Sequence, residues 1–239
     1  MGLPKLDTPI YELVLPSTEE TIKYRPFLVK EQKLLLLAQE GKDKKEMLDS
    51  MSQILDNCTF GKINAMESYV FDVEYVFLQI RRKSVGDKIT LNLLCDDDGT
   101  TRVPTEINLG EIKVEVGENH ANKISLTENI NLIMKYPTMN AMNEMELLSE
   151  SKSATDESTS FDIIKHCIHQ VIDGDKVYER ADMSDADLVE FIESMTGDNV
   201  EHILQFFETM PKVRYKTTIT NPNTNVENTI NIEGIESFF

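Results

Sequence analysis

Apolar and polar positions along this chain switch between alternating and helical spacing in a definite order. Ile10-Tyr-Glu-Leu-Val-Leu15 and Thr21-Ile-Lys-Tyr24 are β-rich runs flanking the polar cluster Pro16-Ser-Thr-Glu-Glu20, which predicts an N-terminal hairpin. Arg25-Pro26 breaks the second strand, and Leu28 to Glu40 follows with good helix propensity up to Gly41. Its run Leu34-Leu-Leu-Leu37 makes more than one face apolar, so this helix is expected to be buried on two sides. Lys44 to Cys58 places Met47, Met51, Ile54, Leu55 and Cys58 on a single stripe, and roughly Asp72 to Ser84 repeats the pattern with Val73, Val76, Phe77 and Ile80. Arg81-Arg-Lys83 ends this third helix before Gly86, where cations meet the carbonyl end of the helix dipole.

From Lys88 the spacing shortens to strict alternation. Ile89 to Cys95, Ile107 to Val116, Lys123 to Leu126 and Asn129 to Met134 predict a small antiparallel β region, with Asp96-Asp-Asp-Gly99 as a hairpin turn. A calcium loop of the EF type anchored on Gly99 would need an acid at Leu94 and a glutamate at Thr105, and has neither. Met139 to Glu150 reads as a short helix. Ser149 to Ser160 has one alanine as its only apolar residue, cannot offset its ordering entropy, and is expected to be a mobile linker.

Beyond it, Ser160 is placed as the N-cap of a helix from Phe161 to Ile172, with Phe161, Ile164, Ile168 and Val171 on one face. Ser184 caps a second helix with Leu188, Phe191, Ile192 and Met195 inward. Gly197-Asp198 opens a third that bears Val200, Ile203, Leu204, Phe207 and Met210. Strands near Val213 to Thr220 and Glu227 to Ile232 flank the turn Asn221-Pro-Asn-Thr-Asn225, and the chain reaches Phe238-Phe239. The fold class is therefore α+β: an N-terminal hairpin plus helices, a central antiparallel β region, and C-terminal helices with a final hairpin. The expected domains are 1–148 and 161–239, joined by the linker 149–160. Two terminal phenylalanines suggest docking, so Phe206, Phe207, Phe238 and Phe239 are the candidate interface residues, covering either a partner or this chain's own core.

Charge narrows the choice of partner. The chain of 239 residues carries a net charge of −18, and the acidity is uneven: residues 1–95 hold 13 Lys/Arg against 14 Asp/Glu, whereas residues 161–239 hold 6 against 15. Such a surface repels phosphate backbones, so no nucleic-acid partner is expected, while solubility or a basic protein partner fits. No window reaches the ~18 apolar residues of a membrane span, and neither a signal peptide nor a myristoylation motif (Leu6 stands where Ser or Thr is needed) is expected. Three dispersed cysteines, Cys58, Cys95 and Cys167, read as reduced thiols of a cytoplasmic protein.

Catalytic groups are sparse. Phosphate-binding glycine loops, a Gly-x-Ser-x-Gly elbow and a His-Glu-x-x-His helix are all missing. On the expected helix Cys167 points about 100° away from His166, towards the apolar side, which disfavours a thiol–imidazole pair. His166 and His169, three apart on that helix, are the only pair from which a metal-dependent hydrolase could be built, and they lack nearby further ligands. The chain is therefore expected to be no enzyme, with no catalytic residue, cofactor or metal.

Three stretches in order carry a resemblance: Tyr24-Arg-Pro-Phe-Leu-Val-Lys-Glu31, Asp72-Val-Glu-Tyr-Val-Phe-Leu-Gln-Ile-Arg-Arg-Lys-Ser-Val-Gly86, and Phe206-Phe-Glu-Thr-Met-Pro211 with Ile232-Glu-Gly-Ile-Glu-Ser-Phe-Phe239. Together they resemble the baseplate hub assembly proteins of T-even-type contractile-tailed bacteriophages. The resemblance implies a non-enzymatic role in building the central hub, either as an assembly factor or as a permanent hub subunit. Its implied partners are other hub or tape-measure proteins, and its implied place is the host bacterial cytoplasm or the virion tail baseplate. It further implies Cys-x-x-Cys knuckles in relatives, after the third helix and before the terminal Gly-x-x-x-Phe-Phe. Here the first position holds only Cys95 before Asp96-Asp-Asp98, and the second reads Asn221-Pro-Asn-Thr-Asn225. Amides and a lone thiol are poor zinc ligands, so no structural zinc is expected, and asparagine-to-backbone hydrogen bonds are expected to hold the turn.

Overall fold

The computed structural model describes residues 6–41, 44–144 and 156–234. Their contacts divide the chain into two compact units, one made of residues 1–115 and 212–239, the other of 116–211. Of the expected linker 149–160, residues 149–155 lie outside the described residues, and residues 156–160 belong to a helix of the second unit.

The first unit opens with the expected hairpin, β1 (Tyr11–Val14) and β2 (Thr21–Tyr24), paired antiparallel with Leu13 opposite Ile22. Helices α1 (Val29–Gly41), α2 (Lys44–Cys58) and α3 (Val70–Val85) follow. The stripe on α2 is buried as its spacing requires: Met51, Ile54, Leu55 and Cys58 all face inward. In α3 every residue from Phe71 to Ile80 except Tyr75 is buried, so this helix forms the centre of the unit. The N-terminal part of α1 is tied down by Glu31, whose carboxylate accepts from the N–H of Leu28 at 2.7 Å and from Arg25 Nη2 at 3.0 Å.

Burial of α1 on two sides is not observed. Leu35 is buried, but Leu36 and Leu37 are exposed. Four consecutive helical residues sweep most of a turn, and a helix packed along one side can bury only part of that arc.

The remainder of the first unit is β-structure. β3 (Lys88–Leu94) and β4 (Arg102–Asn108) form an antiparallel hairpin, and β5 (Lys113–Glu115), β10 (Lys212–Thr220) and β11 (Glu227–Glu233) form a sheet in the order β11-β10-β5. The expected continuous strand from Ile107 to Val116 is in fact the end of β4, a 3-10 turn at Leu109–Glu111 and β5. Asn108 sets the break by accepting the N–H of Gly110 on its side chain. β4 also reaches back through Pro104, which a strand with one unpaired edge tolerates. Leu78 of α3 joins Leu93, Cys95, Ile107, Leu109, Val213, Ile219 and Ile232 in one core.

The second unit is a four-stranded antiparallel sheet in the order β6-β7-β8-β9, with helices. Its strands are β6 (Lys123–Ser125), β7 (Ile130–Met134), β8 (Ile168–Asp173) and β9 (Lys176–Glu179). Its helices are α4, described over 139–144, α5 (Asp156–Cys167), α6 (Asp185–Glu193) and α7 (Gly197–Thr209). Leu132, Met134, Ile164, Cys167, Ile168, Leu188, Ile192, Ile203 and Phe206 form its core.

The helix expected from Phe161 to Ile172 starts earlier, at Asp156, and stops at Cys167. Ser160 is thus inside the helix and does not cap it. Residues 168–173 are a strand instead, because β-branched Ile168, Val171 and Ile172 pair with β7. On α7, Phe206 is the inward aromatic and Leu204 is exposed. The helix starts hold as expected: Ser184 accepts the N–H of Asp187, whose carboxylate returns a bond to the N–H of Ser184 at 3.0 Å, and Thr196 and Asn199 repeat this reciprocal cap.

Candidate functional site

The two turns singled out at the knuckle positions come together in the first unit. In the β3–β4 turn, Gly99 has φ +66°, and its N–H donates to the Cys95 carbonyl at 3.0 Å. Asp98 folds back on the same turn, accepting from the N–H groups of Thr100 at 3.0 Å and Thr101 at 2.9 Å. In the β10–β11 turn, Asn221 Oδ1 accepts the N–H of Asn223 at 2.9 Å, and the Asn221 carbonyl accepts from the N–H of Asn225, which sits at φ +60°.

Side chains then join the two turns. Asn221 Nδ2 shares its hydrogens between Asp97 Oδ1 at 3.0 Å and Asp98 Oδ2 at 2.9 Å. Asn228 Nδ2 donates to Asp97 Oδ1 at 2.9 Å, and its Oδ1 accepts the N–H of Asp97 at 2.9 Å. Thr224 Oγ1 donates to Asp97 as well. Asn221 is fully buried and Asn228 nearly so. The asparagine-to-backbone bonds anticipated from sequence are present, joined by a denser set of amide-to-carboxylate bonds that sequence did not indicate.

Electrostatics follow from the donors. Hydrogen bonds from Asn221, Thr224 and Asn228 hold the Asp97 carboxyl below its usual range, and those from Thr101, Thr100 and Asn221 do the same for Asp98. Burial, with three aspartates beside it, pushes the Cys95 thiol up. A zinc knuckle needs thiolates or imidazoles aimed at one point. The groups here are a protonated thiol and amide N–H donors directed at carboxylates, and they do not fit a metal. Among the described residues no group of three or more His, Cys, Asp or Glu is arranged to hold one.

The second unit contains an aromatic cluster at the C-terminal end of α7. Phe206 stacks on Tyr136 with ring centroids 5.7 Å apart, lies 5.3 Å from the His120 ring, and meets Phe207 edge-on at 5.2 Å. Thr209 Oγ1 donates to the Gln205 carbonyl at 2.7 Å, so at 2.9 Å from His120 Nδ1 it acts as acceptor. His120 then carries its proton on Nδ1, and Nε2 accepts from the Tyr136 hydroxyl at 3.0 Å. Burial lowers the His120 pKa, in agreement with this neutral tautomer.

A family model described as T4 bacteriophage base plate protein matches residues 8–239. The chain belongs to this family. No curated protein and no solved structure is significantly similar to it. Membership in this baseplate family associates the chain with the phage tail baseplate and with the other proteins of that assembly. Among the described residues no helix is long and apolar enough to cross a membrane.

The remaining candidate residues of this family member are placed as follows. Phe206 is buried in the core of the second unit, and Phe207 packs partly buried against it. Phe238 and Phe239 lie outside the described residues. His166 and His169 do not share a helix face: His166 lies in the last turn of α5 and His169 is exposed on β8. His166 Nε2 lies 3.8 Å from a Glu144 carboxylate oxygen, across a polar cleft that Lys135, Tyr136 and Asn140 also line. Burial pushes the Cys58 thiol up to about 11 and that of Cys167 up to about 12, so both are protonated at neutral pH and unsuited to nucleophilic attack.

Proposed function

We propose that this baseplate-family chain is a non-enzymatic assembly protein of the baseplate hub, acting in the host cytoplasm through protein–protein contacts with hub or tape-measure components. The observation that carries the reading is the family match over residues 8–239. The disposition of its reactive side chains supports it. Cys58 and Cys167 are protonated, and Asp97 and Asp98 are engaged by amides and hydroxyls. His120 is bonded into a core. Each of these groups is occupied with holding the fold. Contacts are assigned to apolar groups, with Phe238 and Phe239 as the docking pair. Infection with phage lacking the gene should accumulate tails arrested before the hub is complete, and normal baseplates from that infection would overturn the proposal.

A second reading is a permanent structural subunit of the baseplate hub. The family description as a base plate protein favours it. Mass spectrometry of purified particles separates the two, since a transient assembly factor is absent from finished virions and a subunit is retained.

A further inference from the structure

Residues 116–211 are inserted between the two segments of the first unit, so the chain enters and leaves the second unit once each. Each unit ties together its own ends. In the first, Glu115 at the end of β5 lies opposite Lys212 at the start of β10, and Val114 lies opposite Val213. In the second, the N–H of Gly117 donates to the Thr209 carbonyl at 2.8 Å. That approach requires glycine, because a Cβ on residue 117 would stand 2.8 Å from both Cα and Cβ of Thr209. Three further hydrogen bonds gather at the same point. The N–H of His120 donates to the Gly117 carbonyl at 3.4 Å, His120 Nδ1 donates to Thr209 Oγ1 at 2.9 Å, and the Tyr136 hydroxyl donates to His120 Nε2 at 3.0 Å. Tyr136 in turn stacks on Phe206 in the core of the second unit.

We infer that Gly117, Thr209 and His120 form a clasp that holds residues 116–211 closed as a module able to open and close while the first unit stays folded. The two units have separate cores, one around Leu78, Ile107 and Val213 and the other around Leu132, Ile168 and Ile203. A part with its own core and adjoining ends can open without the rest. Opening the second unit leaves the first with a long loop between β5 and β10. The cost of closing that loop rises only with the logarithm of its length, and the β5–β10 pairing is still there to close it. Release of the clasp separates the first and last residues of the module, and its core then loses the contacts that Tyr136 and Phe206 make at that end.

The test is hydrogen exchange on the full-length chain, followed by NMR. Gly117→Ala drives a methyl group against Thr209. It should speed exchange of the second unit's core amides, among them Leu132, Val171 and Ile203, at least about tenfold, and leave Val76, Ile80 and Val213 of the first unit within about twofold of the wild type. His120→Ala, which removes two side-chain bonds of the clasp without adding an atom, should give the same pattern with a smaller acceleration. Full exchange of the second unit in Gly117→Ala with the first still protected would also support the inference, since the first unit is then folded without the second. Acceleration or loss of protection in both units alike would overturn it, because the chain would then open as one body. Unchanged exchange of the second unit's core amides in both variants would overturn it too, because the contact would then hold nothing closed.

Discussion

The amide of Asn221 grips the carboxylate of Asp97 across 124 residues of chain, with Nδ2 at 3.0 Å from Oδ1 and 3.2 Å from Oδ2. The contact joins the β3–β4 turn to the β10–β11 turn. Asn221→Ala should therefore destabilise the first unit by about 2–3 kcal/mol, the cost of losing a buried donor to charged acceptors. Asn221→Asp should cost more, because it sets a third carboxylate against two. Urea unfolding at pH 7 measures both. In the wild type, the folded pKa values of Asp97 and Asp98 lie below those of the unfolded chain. Their contribution is complete above the ordinary carboxylate range, and fades as pH falls through the folded values. Asn221→Ala should flatten that acid limb.

Arg25 and Glu31 form an ion pair at 3.0 Å, with only 10% and 2% of their side chains exposed. Burial opposes the charge on Glu31, but bonds from Arg25 and the Leu28 N–H prevail and hold its pKa below normal. Glu31→Ala leaves a guanidinium buried without this partner and should cost about 3 kcal/mol in urea unfolding. The double variant Arg25→Met with Glu31→Leu should lose less than Glu31→Ala alone, because no buried charge is then left over.

Desolvation lowers the pKa of His120, so this ring is neutral in the fold down to lower pH than in the unfolded chain. Between those two values the unfolded chain binds the extra proton. Stability contributed by His120 is thus complete above an unfolded value of about 6.5 and lost as pH falls through the folded one. NMR titration should place His120 below 6.5. His120→Gln, which can still bond Tyr136 and Thr209, should show a smaller drop in melting temperature between pH 7 and pH 5.

Deleting Phe238 and Phe239 distinguishes the two forms of terminal docking. If they anchor the fold, the loss should be several kcal/mol, at about 1.5–3 kcal/mol per buried phenylalanine. If they anchor a partner, thermal melting should be unchanged while co-purification with hub or tape-measure components from infected cells disappears.

Local signals carried much of the architecture. The stripes of α2 and α3, the Ser184 cap and the final hairpin are each written within a dozen or so residues, and each is found in place. Longer-range decisions were hidden. Ile164, Ile168 and Val171 satisfy a helical spacing, and only pairing with β7 turns residues 168–173 into a strand. Leu34 to Leu37 look uniformly apolar, and nothing local says which of them meets the core. At the knuckle positions both turns were legible, but the convergence of Asn221 and Asn228 on Asp97 depends on the register of β10 with β11.

The split of the first unit into residues 1–115 and 212–239 sets an order of events during synthesis. Everything the second unit is made of has been translated by residue 211, whereas Val213, Ile219 and Ile232 of the first unit's core are still to come. Domains fold as units as the chain emerges, at about 5–20 residues per second. The early segment therefore waits through the synthesis of 96 intervening residues for the strands that close it. The interrupting unit sets the length of that delay.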